Sequence, residues 1–152
     1  MSQRIDIEQQ LPDAYQALMA VYETVEAAIA RVGLDQKLIE LAKLRVSQIN
    51  GCAFCTDLHS RDARKLGEAE RRLYLLPAWR ETDLYSEQER AALTLAEAMT
   101  RLPVTQDVPD EVYSEATKVF SADEYAVLAW AVTIINAFNR LCVTSRTPLP
   151  QA

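Results

Sequence analysis

Apolar side chains recur at steps of three and four residues along nearly the whole chain, which is the spacing of one face of an α-helix. Pro12, which suits the first turn of a helix, begins the first of these patterns, and Gly33 ends it. The second pattern ends at Asn50 and Gly51, residues that tolerate the left-handed conformation of a helix C-terminus. In this half of the chain the pattern predicts helices over about 12–33, 35–49, 52–67 and 68–76.

Two Ser-x-x-Glu sequences mark helix starts in the second half. Ser86 with Glu89, and Ser121 with Glu124, have the spacing of capping boxes, in which serine and glutamate satisfy each other's unpaired backbone N–H groups. Pro103 is a helix-stopping signal. The pattern predicts helices over about 86–102, 109–120 and 121–145, with a looser stretch at 77–85 and a connector at 104–108.

The fold class predicted by this pattern is all-α, with roughly six to seven helices. No segment shows the alternating β-branched pattern of a strand. With 152 residues and 49% apolar composition, residues 1–152 suit a single domain, whose core we expect over about 15–145. Residues 126–135 are apolar on nearly every face, so the last helix should be buried on several sides, inside the fold or at a subunit interface.

Charge and hydropathy disfavour three classes of protein: nucleic-acid-binding, exported and membrane-spanning proteins. The net charge is −6 and basic residues form no dense cluster, which disfavours nucleic acid as a partner. Residues 1–10 mix charged and apolar side chains without the apolar core of a signal peptide. The longest apolar run, 126–132, falls short of the ~18 residues that a membrane span needs. We therefore expect a cytoplasmic protein with no membrane association.

Candidate chemistry is concentrated in residues 50–59, which hold two of the three cysteines and the only histidine. Three cysteines are too few for a disulfide scaffold, so the thiols are interpreted as functional. Cys52 and Cys55 fall at the start of a predicted helix, where unpaired amide N–H groups and the helix dipole favour an anion. An unperturbed cysteine is only about 3% thiolate at pH 7, so this placement favours a reactive thiol.

His59 follows Cys55 by four residues and Cys52 by seven, which places all three side chains on one helical face. The imidazole can then accept a thiol proton. The two cysteines are close enough in sequence to form a disulfide after modest adjustment, so one thiol can attack and the other resolve. The order stays open, because Cys55 is one turn from His59 whereas Cys52 is nearer the helix end.

Other uses of a Cys-x-x-Cys motif are less well supported. A zinc site would require Cys52, Cys55, His59 and Cys142, and no second ligand pair of the usual kind is present. Haem attachment needs histidine directly after the second cysteine, where Thr56 stands. A thioredoxin fold needs a strand before the motif, where a helix is predicted. We expect no bound metal or cofactor, and Cys142 is interpreted as a buried core residue of the last helix.

Residues 38–59 and 62–68 resemble the core of the carboxymuconolactone decarboxylase family, in its alkylhydroperoxidase D-like branch. The pattern is a glutamate, eleven residues, Cys-x-x-Cys, three residues and a histidine, and residues 89–93 and 135–141 resemble later family segments. The resemblance implies an all-helical homo-oligomer, a trimer or hexamer, that reduces hydroperoxides through a redox-active Cys52–Cys55 disulfide. Its implied electron donor is a dithiol, either dihydrolipoamide or a thioredoxin-like protein.

Residue roles also follow from the resemblance. Cys55 would attack the peroxide, Cys52 would resolve its sulfenic acid, and Glu40 with His59 would form a proton relay. The residues around Glu40 are compatible with a partly buried carboxylate that faces the third helix, since apolar neighbours flank it in the sequence. The four predicted catalytic residues are therefore Cys55, Cys52, His59 and Glu40.

One position departs from the family pattern. Better-known alkylhydroperoxidase D proteins often have histidine between the cysteines, where this chain has Phe54. The change removes a possible second base and makes the pocket more apolar. We therefore expect either weaker peroxidase activity or a preference for bulkier organic peroxides. Two alternatives stay open: a non-enzymatic helical oligomer that senses redox state through its cysteines, and, less favoured, a carboxymuconolactone decarboxylase, since those members typically lack the cysteine pair.

Overall fold

Helices form all the regular secondary structure in residues 3–150, the part of the chain that this computed structural model describes. The predicted all-α class is confirmed for these residues, and the two residues at each end of the predicted 1–152 domain lie outside them. The α-helices are α1 (Ile7–Gln10), α2 (Pro12–Val32), α3 (Gln36–Ile49), α4 (Ala53–Lys65), α5 (Glu70–Leu75), α6 (Glu87–Thr100), α7 (Leu102–Thr105), α8 (Asp110–Val119) and α9 (Ala122–Ser145).

Seven of these helices coincide with the predicted ones, and the differences lie in short elements. The prediction of a looser stretch at 77–85 is wrong in part, because a 3₁₀ helix covers Leu76–Glu81. The connector predicted at 104–108 is also wrong in part, because α7 covers its first residues. Pro103 occupies the first turn of α7, where its missing N–H costs no hydrogen bond. Single-turn helices leave too little periodicity to be recognised in the sequence.

Helix starts follow the predicted capping chemistry. The Ser86 hydroxyl accepts a hydrogen bond from the Glu89 backbone N–H at 3.2 Å, and the Glu89 carboxylate accepts one from the Ser86 N–H at 2.7 Å. Ser121 and Glu124 repeat both bonds at the start of α9 with the same distances. Both capping boxes are therefore confirmed, and they set where α6 and α9 begin.

The centre of the domain is α3, which packs against α4, α6 and α9, while α2 lies along α9. This arrangement brings the start of α4 against the last turns of α9 and the middle of α4 against the first half of α3. α9 is long and apolar enough to cross a membrane, but its contacts with α2, α3 and α6 make it a core helix of the domain. One part of α9 stays open to solvent, where Trp130 is 54% exposed.

Candidate active site

The turn between α3 and α4 positions the cysteine motif. Gly51 adopts φ +67°, a left-handed conformation that costs glycine little and lets the chain reverse direction after α3. Cys52 follows as the N-cap of α4, and its Sγ accepts a hydrogen bond from the backbone N–H of Cys55 at 3.4 Å. The structure therefore places Cys52 at the helix end and Cys55 in the first turn, both of them buried.

Cys142, from the last turns of α9, lies beside this pair. The sulfur atoms of Cys52, Cys55 and Cys142 are all within 4.8 Å of one another. Cys142 is buried, as predicted, but its interpretation as a core residue outside the site is incomplete, because it contacts both motif thiols. Three free thiols thus form one sulfur cluster, to which α4 contributes the motif and α9 the third member.

Hydrogen bonds distribute the negative charge unequally within this sulfur cluster. The Cys142 thiol, the Cys55 thiol and the Cys55 backbone N–H all stabilise a thiolate on Cys52, so the pKa of Cys52 lies far below its ordinary value. Hydrogen bonds to Cys142 and Cys52, together with burial, raise the pKa of Cys55. The hydrogen bond to Cys52 raises the pKa of Cys142 to about 11. Of the three thiols, Cys52 is therefore the one whose surroundings favour the thiolate form.

His59 and Glu40 form a buried pair between α4 and α3. His59 Nδ1 lies 2.8 Å from Glu40 Oε2. Burial alone would raise the pKa of Glu40, but the hydrogen bond from His59 and the charge of Lys43 outweigh it and lower that pKa. The carboxylate is thus ionised and can only accept, so Nδ1 carries the hydrogen and Nε2 remains free.

Lys43 holds Glu40 from the other side. Its Nζ lies 3.3 Å from Glu40 Oε1 and 2.6 Å from Glu26 Oε1. Burial would lower the pKa of Lys43, but the charges of Glu40 and Glu26 reverse this and raise it. The ammonium therefore stays charged in a buried position, which keeps the carboxylate beside His59 in its ionised form.

Asn139 connects the sulfur cluster to the rest of α9. Its Nδ2 donates to Ser47 Oγ at 3.1 Å, and its Oδ1 accepts from Asn50 Nδ2 at 2.9 Å. The amide of Asn139 also acts to lower the pKa of Cys52 and of Cys55. Asn139 thereby ties α9 to the end of α3 beside both motif thiols.

A cavity of about 420 Å³ opens beside the cluster. Cys55, Cys142 and His59 line it, whereas Cys52 does not. The remaining wall is mainly apolar and includes Tyr15, Met19, Tyr22, Phe54, Leu58 and Phe138. A molecule in this cavity therefore meets the sulfur of Cys55, not that of Cys52.

Two sets of groups have the spacing of metal ligands among the described residues. One is the sulfur cluster, and the other is Glu40, His59 and Asp62, with ligand atoms within 4.8 Å of one another. His59 belongs to the second group, so the four zinc ligands considered in the sequence analysis are divided between the two groups. Three thiols are chemically suited to a thiophilic ion such as Zn²⁺.

Sequence reasoning missed three residues of this site: Lys43, Asn139 and Cys142. Lysine in a helix is usually exposed, and nothing local indicates that Lys43 is only 4% exposed. Asn139 falls within a segment that resembles the family, but its contacts come from other helices. The only available signal for Cys142 was the odd number of cysteines.

Known proteins resemble this chain in both sequence and fold. The family model of the carboxymuconolactone decarboxylase family matches residues 12–98. The protein YdfG of Bacillus subtilis (strain 168) is 40% identical over 143 residues, which cover 94% of each chain. A crystal structure is known of ATU0492 from Agrobacterium tumefaciens, described as a protein of unknown function and associated by name with the antioxidant defence protein AhpD. ATU0492 is 36% identical to this chain and superimposes on it with a TM-score of 0.90. The match covers 99% of this chain and 100% of ATU0492.

The debrominase Bmp8 shares the fold, with a TM-score of 0.80 and 20% identity over 93% of this chain and 74% of its own. At that identity the likeness concerns the fold alone. The match over residues 12–98 and the full-length similarity to ATU0492 agree with the motif spacing. The chain belongs to the carboxymuconolactone decarboxylase family, in its alkylhydroperoxidase D-like branch.

Proposed function

We propose that this protein is a dithiol-dependent peroxidase that reduces organic hydroperoxides. The observation that carries the proposal is the shared cavity: Cys55 and His59 both line it, and the sulfur of Cys52 lies within 4.8 Å of that of Cys55. A nucleophile and a proton-transferring group are thereby within reach of one bound molecule, and a resolving thiol is close to the nucleophile. Membership of a family branch associated with antioxidant defence supports the same reading.

The first step is oxidation of Cys55. Its thiol proton passes to the Cys52 thiolate, which already accepts its hydrogen bond, and the Cys55 sulfur attacks the terminal peroxide oxygen. The O–O bond breaks, Cys55 becomes a sulfenic acid, and the leaving alkoxide takes a proton from water, relayed by His59 Nε2, to become the alcohol while hydroxide remains. Glu40 keeps the imidazole in the tautomer that presents Nε2.

The second step closes the disulfide. The Cys52 thiol attacks the sulfenic sulfur of Cys55, and water leaves with the thiol proton. A dithiol donor, dihydrolipoamide or a thioredoxin-like protein, then attacks the Cys55 sulfur from the cavity. Cys52 is the leaving thiolate, and its lowered pKa favours this departure. The second thiol of the donor then attacks the mixed disulfide, which oxidises the donor and releases Cys55 as a thiol.

The substrate class follows from the cavity wall. Its aromatic and aliphatic side chains fit an alkyl or aryl group better than they fit water-like hydrogen peroxide. Phe54, which stands where relatives of the branch often carry histidine, contributes to this apolar surface. We therefore propose bulky organic hydroperoxides as substrates.

A steady-state assay tests the function. The reduced protein should consume cumene hydroperoxide catalytically with dihydrolipoamide or with a thioredoxin and its reductase, at a higher kcat/KM than for hydrogen peroxide. Oxidation of a single equivalent without turnover under every donor would instead indicate a redox sensor. Absence of any thiol oxidation would exclude both functions.

Glu40→Gln should lower kcat for cumene hydroperoxide by about 10²-fold with little change in KM. The reason is that the amide no longer fixes the tautomer of His59, while the cavity wall is unchanged. Stopped-flow oxidation of the reduced protein measures this step without the donor.

The matched control is Glu26→Gln, which also removes a carboxylate partner of Lys43 but has no hydrogen bond to His59. We expect a much smaller change in kcat. Equal losses in the two variants would show that the charge of Lys43, not the His59 tautomer, matters.

We also propose that the protein is a cytoplasmic homo-oligomer, a trimer or hexamer. Exposed apolar side chains on α7 and α9 support assembly, with Val104 84% and Trp130 54% exposed in the single chain. Three free thiols fit a reducing compartment. Sedimentation velocity at micromolar concentration measures the assembly, and a monomer would contradict it.

A further inference from the structure

The sulfur of Cys142 occupies a position that the two-cysteine mechanism leaves unused. It lies within 4.8 Å of both motif sulfurs although it belongs to the last helix, far from the motif in the sequence. Its side chain is 6% exposed, and it lines the same cavity as Cys55. A thiol at this position is next to the atom that a peroxide would oxidise.

Cys142 differs from Cys52 in its relation to the cavity. Cys52 does not line the cavity, whereas Cys142 and Cys55 both do. A sulfenic acid on Cys55 carries its hydroxyl where the peroxide bound, within the reach of Cys142. Both neighbours can therefore attack the oxidised sulfur, and side-chain rotation brings either to disulfide distance.

We propose that Cys142 is a third redox-active thiol, which resolves the Cys55 sulfenic acid as an alternative to Cys52 and forms a Cys55–Cys142 disulfide between α4 and α9. The inference rests on the proposed function, since that function supplies the sulfenic acid. The Cys142 thiol forms the S–S bond with Cys55, the S–O bond breaks, and the thiol proton leaves with the hydroxyl as water. No further oxidant is required.

The raised pKa of Cys142, about 11, keeps this thiol protonated at neutral pH. It is therefore a poor first nucleophile toward peroxide and remains available for the second step. A Cys55–Cys142 disulfide would also present both of its sulfurs to a reductant in the cavity, whereas a Cys52–Cys55 disulfide presents only one.

The test uses the full chain with Cys52→Ser, Cys142→Ser and the double variant. Serine is a strongly preferred N-cap residue, so Cys52→Ser should preserve the start of α4. Each reduced protein receives one equivalent of cumene hydroperoxide with dimedone present, and non-reducing peptide mapping identifies the products. Circular dichroism checks the fold, and Cys52→Ala takes the place of Cys52→Ser if the serine variant does not fold.

We expect a Cys55–Cys142 disulfide in Cys52→Ser, a Cys52–Cys55 disulfide in Cys142→Ser, and a dimedone adduct on Cys55 only in the double variant. Equal dimedone labelling of Cys52→Ser and the double variant would overturn the proposal. So would one zinc ion per chain in the purified wild type that Cys142→Ser loses, because Cys142 would then be a metal ligand.

A second oxidant separates this inference from the proposed function. Diamide joins neighbouring thiols without peroxide, so it should form the Cys55–Cys142 disulfide in Cys52→Ser in either case. If it does, and peroxide oxidises no thiol in any variant, the peroxidase function fails while the redox pairing of Cys142 stands. If diamide forms no such bond, the pairing itself is wrong.

Discussion

Cys55→Ser should lower kcat/KM for cumene hydroperoxide by about 10³-fold or more, because a serine hydroxyl does not attack a peroxide oxygen. Cys55, and not Cys52, lines the cavity in which we propose that the substrate binds. Stopped-flow measurement of peroxide consumption by the reduced variant, with no donor present, isolates this step. The serine retains the size and hydrogen-bonding capacity of the thiol, so the fold should be unaffected.

Cys52→Ser is the matched comparison. It should still consume one equivalent of peroxide, since Cys55 remains, although its thiol must lose its proton without the neighbouring thiolate and the reaction should be slower. The reverse result, with Cys55→Ser reactive and Cys52→Ser inert, would make Cys52 the attacking residue. The lowered pKa of Cys52 makes this comparison necessary, because the thiolate and the cavity favour different sulfurs.

Glu97→Gln should lower the free energy of unfolding by about 3 kcal/mol, because it removes one partner from a buried group of charges. Glu97 is 1% exposed. Its Oε1 accepts hydrogen bonds from Arg45 at 2.7 Å and Trp79 at 3.0 Å, and its Oε2 from Arg80 at 2.5 Å and Arg101 at 2.9 Å. Chemical denaturation of the two proteins at neutral pH measures the difference.

The control is Glu115→Gln, whose carboxylate pairs with Lys118 on an exposed surface. Exposed pairs contribute about 0–1 kcal/mol, so this variant should unfold almost as the wild type does. If both variants lost a similar free energy of unfolding, the buried ion pairs of Glu97 would stabilise the fold no more than an exposed pair does.

The contribution of Glu97 should also depend on pH. Burial would raise its pKa, but the hydrogen bonds from Trp79 and the arginines outweigh burial and lower the pKa to about 2 from an ordinary value of 4.5. Since the folded value is the lower one, the stabilisation is complete above about pH 4.5 and is lost as the pH falls toward about 2. The difference between the wild type and Glu97→Gln should therefore be smaller at pH 3 than at pH 6.

Local sequence determined most of the helices. The capping boxes at Ser86 and Ser121 act within one turn, so their hydrogen bonds can be predicted from spacing alone. Pro103 shows the limit of such signals. Proline ends a helix interior but is tolerated in a first turn, and only the tertiary structure decides that α7 begins at this point.

The sequence by itself determined the local part of the site. Cys52, Cys55 and His59 lie on one face of a single helix, so their proximity follows from helical geometry, and Glu40 was added by the family spacing. The tertiary structure decided what surrounds them. Cys142 reaches the same sulfurs from another helix, because the packing of α9 against α3 and α4 joins residues that no short-range pattern connects.

The sequence alone also could not predict which of the thiols favours the negative charge. A helix start favours a thiolate on either motif cysteine, but the position of the negative charge on Cys52 depends on the Cys142 thiol and on Asn139, both from α9. Cys55, in contrast, is the motif cysteine that lines the cavity. A pKa depends on burial and on every nearby donor, and these are set by the packing of distant segments, not by the order of residues within one helix.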